Sequence, residues 1–156
     1  MLYSISTITP ICAQRRAAGK KIVLATGFFD LLHQEHINFL IKAKAAGDVL
    51  IVAVESDERA RVLKGEGRPI ETQAIRCDHL APYADYVITL PDDFDHFEAY
   101  DALMSSVHPH IYAVSSHSDH LPNKTFLTEK YGGKLVVVHA WNPRVSTTQI
   151  LQNTHI

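Results

Sequence analysis

Five uninterrupted apolar runs, at residues 22–25, 49–54, 86–88, 111–114 and 135–138, limit what this chain can fold into more than any other feature. A strand with one wet face alternates apolar and polar residues, whereas an unbroken run marks a strand covered on both faces. Helical patterns lie between the runs. Ile37, Leu40, Ile41 and Ala45 share one face of a helix that Gly47 ends. Phe97, Tyr100, Ala102, Leu103 and Val107 mark a second, stopped before Pro109, and a third runs over about 124–131 to Gly132-Gly133. Strands alternating with helices imply parallel pairing through right-handed crossovers. The expected fold is α/β: one domain, an open parallel five-stranded sheet with helices on both faces. A length of 156 residues suits one core. Residues 1–18 are expected to form an N-terminal extension or lead-in helix, and residues 19–156 the domain.

The bulk chemistry excludes several classes. A net charge of -2 argues against a general nucleic-acid binder, which would carry a basic balance. No run approaches the roughly 18 apolar residues of a membrane span. The first 19 residues carry their two arginines at the end of the stretch, which does not read as a secretory signal. Cys12 and Cys77, far apart and alone, read as free thiols of a reducing cytosol. The expected location is the cytoplasm.

The chemistry concentrates where the first apolar run ends. Gly27, Phe28, Phe29 and Asp30 lead to His33 and His36 and then to the helix. A strand-to-helix turn presents free N–H groups and the positive end of a helix, which together make an anion site. His33 and His36, three apart at a helix start, project to one side, where their imidazoles can donate to phosphate oxygens. As a zinc pair they would need a third protein ligand, for which Asp30 is available. No metal ligand set is expected.

The segment Gly27-x-Phe29-Asp30-x-x-His33-x-x-His36 resembles the first signature of the cytidylyltransferase-like nucleotidyltransferases, G-x-F-D-x-x-H-x-G-H. Arg144 to Ile150 resembles that family's R-x-S-T-T-x-I. Ser146 and Thr147 are also good helix caps on chemical grounds. Lys64-Gly65-Glu66-Gly67-Arg68-Pro69-Ile70 resembles K-G-x-x-R-P-[IV] of bacterial heptose-1-phosphate adenylyltransferases, and glycerol-phosphate cytidylyltransferases are similar overall. The resemblance covers residues 20 to 152 and implies a Rossmann-like domain.

The resemblance implies attack by a substrate phosphate on the α-phosphorus of a nucleoside triphosphate, with release of pyrophosphate. The nucleophile is already an anion, so positioning and charge neutralisation carry the catalysis. By carry-over, His33, His36, Lys64 and Arg144 are catalytic, Lys64 reaching in from a flexible loop. Gly27, Phe28, Phe29, Asp30, Glu35, Ser146, Thr147 and Thr148 contact the nucleotide. Asp30, Arg68, Arg76, His117 and Asp119 contact the second substrate. Mg²⁺ is expected with the triphosphate, held mainly by phosphates and water. The expected partners are a nucleoside triphosphate, a small phosphorylated acceptor and a second copy of the chain in a homodimer. Adenylyl transfer to a sugar 1-phosphate stands first, then glycerol-phosphate-type cytidylyl transfer, then FAD synthesis.

Two positions depart from the family pattern. Glu35 stands where relatives have glycine, which leaves three outcomes: it points to solvent, bonds the base edge or obstructs the site. Residues 115–120 replace a K-G-G-D or G-H-D loop, so the acceptor can differ from heptose phosphate. These departures motivate a second reading, a catalytically weak nucleotide-binding paralogue.

Overall fold

The computed structural model describes residues 2–142, 144 and 151. In chain order its elements are β1 (Leu2–Tyr3), α1 (Ile5–Ala17), β2 (Ile22–Gly27), α2 (Gln34–Ala45), β3 (Val49–Val54), α3 (Asp57–Lys64), α4 (Gln73–Leu80), β4 (Tyr86–Thr89), α5 (Phe97–Val107), β5 (Ile111–Ser115), α6 (Leu121–Lys130) and β6 (Lys134–His139). The strands form one parallel sheet in the order β1-β4-β3-β2-β5-β6. The five apolar runs became β2 to β6, and β3 is buried along its whole length, as an unbroken run requires.

The sheet has six strands, not five. The added strand is β1, whose Leu2 and Tyr3 pair with Val87 and Ile88. Two residues carry no periodicity to read. The strand forms because α1 is anchored next to it. Ser4 caps α1, its hydroxyl accepting from the Thr7 N–H, and Ile8 and Cys12 are fully buried against the sheet. The Tyr3 ring meets Tyr86 edge-on at 5.5 Å.

Two cores flank the sheet. On one face Ile8, Leu103, Met104, Val107 and Leu127 from α1, α5 and α6 cover Ile22, Leu24 and Ile51. On the other, Phe39, Leu40, Ala43, Cys77 and Leu80 from α2 and α4 cover Val23, Leu50 and Val52. Gly47, after α2, is required by a close approach: a Cβ there would lie 2.6 Å from the Val23 side chain and 2.9 Å from the Lys21 carbonyl. Cys12 and Cys77 are free and buried, which pushes both thiols up to about 11. No helix among the described residues is long and apolar enough to cross a membrane.

The chain leaves β2 toward β3 and β4 on one side and toward β5 and β6 on the other. Between β2 and β5 the order reverses, and the loops after their carboxyl ends must diverge. A cavity of about 420 Å³ opens there, lined by Thr26 and Gly27 of β2 and Ala113, Val114 and Ser115 of β5.

Candidate active site

The loop from β2 to α2 is held in an unusual backbone shape. Phe29 and Leu31 both adopt left-handed conformations, φ 54° and 51°, which cost a non-glycine residue free energy. The loop keeps this shape because it is tied from below. Asp30, 2% exposed, accepts from the N–H of Ile70 at 2.8 Å and of Glu71 at 3.0 Å, and from Arg68 Nε at 3.2 Å. The Leu31 N–H donates to Glu71 Oε1 at 2.9 Å. Arg76, fully buried, donates to the Phe28 carbonyl at 2.7 Å, the Glu71 carbonyl at 3.1 Å and Asp57 Oδ1 at 2.7 Å.

These bonds give three carried-over residues a different place. Arg76 does not line the cavity: it joins α4 to the loop's underside. Arg68 pairs with Asp30 instead of facing the cavity, and Asp30 holds the 68–71 segment. Asp30 does line the cavity, but both its oxygens serve the backbone of that segment.

His33 and His36 face the cavity as a stacked pair, ring centroids 3.8 Å apart and planes at 17°. The His33 backbone N–H donates to His36 Nδ1 at 3.3 Å, which leaves Nε2 of a neutral His36 as the protonated nitrogen. Burial, with His33 and Lys64 adding, pushes His36 down to about 3. Burial also lowers His33, against a smaller opposing pull from Glu35. Both are therefore neutral at pH 7. Neither buried ring nitrogen of His33 has a hydrogen-bond partner among the described residues. Trp141 closes one side, edge-on to His33 at 5.6 Å and to His36 at 5.4 Å, with His117 lying nearly parallel to it at 6.1 Å.

Lys64 is the last residue of α3 rather than part of a loop. Its ammonium lies 5.0 Å from the Phe28 ring centroid, and burial lowers its pKa from the usual lysine value. His117 and Asp119 line the cavity, as do Gly27, Phe28 and Phe29. Arg144, exposed, is placed by its N–H donating to Asn142 Oδ1 at 3.0 Å and is not among the lining residues. Ser146, Thr147 and Thr148 lie outside the described residues. No three His, Cys, Asp or Glu side chains gather as a metal site among the described residues.

Glu35 leaves the cavity. Its Oε2 takes the Nε2 of His139 at 2.5 Å, and its Oε1 accepts from the Asn142 N–H at 3.1 Å. Lys42 bonds the far nitrogen of that imidazole at 2.9 Å. The bond from His139 lowers the Glu35 pKa from the usual carboxylate value, with burial opposing. Glu35 thus ties the start of α2 to the chain just after β6, on either side of Trp141. Glu35 is not among the residues that line the cavity and does not obstruct it.

Glu55, Arg59, Tyr100 and Lys124 also line the cavity. Sequence reasoning missed all four as site residues. Glu55 sits directly after an apolar run and before a helix cap, Ser56, at a strand's carboxyl end, and that signal could have found it. Nothing local marks the other three.

The cytidylyltransferase-like family model matches residues 24–153. The chain belongs to that family. It is 35% identical over 143 residues to the bifunctional protein HldE of Desulfatibacillum aliphaticivorans, covering 88% of this chain and 28% of that protein. With the HldE of Geobacter metallireducens the identity is 35% over 155 residues, 96% of this chain and 30% of that one. The chain thus spans under a third of the length of these relatives. In structure it resembles the lipopolysaccharide core biosynthesis protein of Thermoplasma volcanium GSS1, with a TM-score of 0.63 and 26% identity, covering 78% of this chain and 97% of that one. The fold is shared with a pantoate-beta-alanine ligase from Francisella tularensis, at a TM-score of 0.61 and 15% identity over 97% of this chain and 75% of that one. A nucleotidyltransferase domain accounts for the stacked histidines, the cavity at the strand switch and the C-terminal motif together.

Proposed function

We propose that this chain transfers a nucleoside monophosphate, in the first place from ATP, to a phosphorylated sugar or polyol, in the manner of a sugar-1-phosphate adenylyltransferase. The acceptor's phosphate oxygen forms a bond to the α-phosphorus. The bond from that phosphorus to the bridging oxygen breaks, and its electron pair leaves with pyrophosphate. The observation that carries this reading is His33, whose two buried nitrogens lack partners among the described residues beside the cavity. A neutral imidazole there donates one hydrogen bond to a phosphate oxygen that gains charge in the transition state. Lys64 neutralises the same charge from the end of α3, and Arg144 with Ser146, Thr147 and Thr148 would hold the outer phosphates. Mg²⁺ would travel with the triphosphate, coordinated by phosphate and water oxygens.

The likeness of Lys64–Ile70 to sugar-phosphate adenylyltransferases supports a sugar acceptor. So does the likeness to the Thermoplasma volcanium protein named for lipopolysaccharide core biosynthesis. Cytidylyl transfer to glycerol phosphate is the second choice and FAD synthesis the third. Glu35, which would favour a binding-only paralogue if it filled the cavity, is bonded away from it. A homodimer in the cytoplasm is the working assembly and location.

The experiment is pyrophosphate release from ATP, CTP, GTP and UTP against a panel of sugar and polyol phosphates. Turnover should be highest with ATP and a sugar phosphate, and His33→Ala should lower it by about 10²–10³-fold. Nucleotide binding without turnover on any pair would reject the reaction. Full activity in both His33→Ala and His36→Ala would reject the site.

A further inference from the structure

Beyond His33 and His36 the cavity has an inner end, shared with an adjoining hollow. Arg59, Tyr100, His120 and Lys124 line both the main cavity and an adjoining hollow of about 210 Å³, whereas His33, His36 and Lys64 line only the first. Glu55, directly after β3, lines the main cavity with its carboxylate beside Arg59.

The polar atoms here are not paired as a structural ion pair would be. Glu55 Oε1 and Arg59 Nε are buried atoms, and neither has a hydrogen-bond partner among the described residues. They lie 3.8 Å apart, beyond hydrogen-bond range, with their side chains 12% and 15% exposed. A guanidinium and a carboxylate kept for stability close into a short, often bidentate contact. Leaving both open is unfavourable, and a ligand that donates to Glu55 and accepts from Arg59 removes that cost. Lys124 is fixed for the same task, its ammonium donating to Ser118 Oγ at 3.0 Å.

Charge narrows the ligand. Arg59, Lys124, Lys64 and Arg76 act on the Glu55 carboxylate through space, so four cations, the first three of them lining the cavity, surround one buried acid. An ammonium group entering here would meet those three. A hydroxyl supplies the donor Glu55 lacks and adds no charge. An anionic oxygen suits Arg59 and Lys124.

We propose that Glu55, Arg59 and Lys124 form the acceptor subsite, in which Glu55 accepts from hydroxyl groups and the two cations hold an anionic oxygen. The site therefore selects a hydroxyl-bearing phosphate ester over an aminoalkyl phosphate. The role of acceptor rests on the proposed reaction, but the selectivity is read by binding alone.

The test is calorimetric titration of mannose 1-phosphate, glycerol 3-phosphate and phosphoethanolamine into the whole chain loaded with a non-hydrolysable ATP analogue. At least one hydroxylated phosphate should bind about tenfold or more tightly than phosphoethanolamine. Glu55→Gln and Arg59→Lys should each weaken that binding about tenfold or more, the loss of a charge-assisted hydrogen bond. Affinity for the analogue should stay within about twofold, which shows that each variant is folded. Equal binding of phosphoethanolamine, unchanged affinity in both variants, or no binding of either hydroxylated probe to the wild type would overturn the subsite. Selective binding without pyrophosphate release would instead count against the proposed reaction and leave the subsite standing.

Discussion

Arg76, fully buried, and Arg59, half-buried, lie beside the same cavity, and they are treated in opposite ways. Arg76 lies beneath the β2–α2 loop and spends its guanidinium on two carbonyls and Asp57. Arg59 faces the inner end, and its buried Nε has no hydrogen-bond partner among the described residues. Asp30 and Glu55 repeat the contrast among the acids: Asp30 holds two backbone N–H groups and Arg68, while Glu55 Oε1 holds none. Polar groups that shape the site are satisfied within the protein. Arg59 Nε and Glu55 Oε1 are left open, because bonds made inside the fold cannot also be given to a ligand. Burial alone does not separate the two kinds, whereas hydrogen-bond bookkeeping does.

The largest expected effect tests the satisfied side. Arg76→Ala leaves the Phe28 and Glu71 carbonyls without their donor under a loop already strained at Phe29 and Leu31. Stability should fall by about 3 kcal/mol in urea unfolding. A loss below about 1 kcal/mol would show that the loop holds its shape without Arg76 and would erase the contrast.

The stacked histidines provide the next effect, through pH. His36 is held near 3 in the folded chain against an ordinary value of 6.5. At pH 7 it is neutral in the folded chain and mostly neutral in the unfolded one, so it contributes little pH slope there. As pH falls below 6.5 the unfolded chain takes up a proton that the folded chain refuses, and the folded state loses ground. The slope attributable to His36 approaches about 1.4 kcal/mol per pH unit between 6.5 and 3. Denaturant melts from pH 7 to 4.5, with His36→Asn as the control, measure it. A wild-type curve no steeper than the variant's would place a charged imidazole in the cavity.

A smaller effect concerns Glu35. Trp141 is the chain's single tryptophan, so its emission reports on the wall that Glu35 ties down. Glu35→Gly should shift that emission to the red and raise its quenching by iodide, as the segment after β6 loosens and water reaches the indole. Identical spectra would mean that the Ser116 contact to the Trp141 N–H, at 2.9 Å, holds the wall by itself. The smallest effect tests the open side. Arg59→Ala removes no side-chain hydrogen bond among the described residues, and stability should change by less than about 1 kcal/mol. A loss like that expected of Arg76→Ala would make Arg59 a structural residue.

The sequence alone determined the parallel sheet, because runs such as 49–54 have no polar face to give to water. It also determined the cavity-facing histidines, because Gly27 to His36 is one continuous strand–turn–helix whose local geometry brings its parts together. Tertiary structure decided what local spacing cannot encode. β1 is a strand only because α1 is docked beside it. Arg68 and Arg76, read as substrate contacts, turn to the loop's underside because Asp30 and the Phe28 carbonyl are there to receive them. Glu35 is harmless to the cavity only because His139, 104 positions away, lies where its carboxylate can reach. The inner end, with Glu55 after β3, Arg59 in α3 and Lys124 in α6, exists only once the sheet has brought these elements to one edge. A carboxylate or guanidinium is solvated or paired according to its neighbours in space, and a linear sequence does not name them.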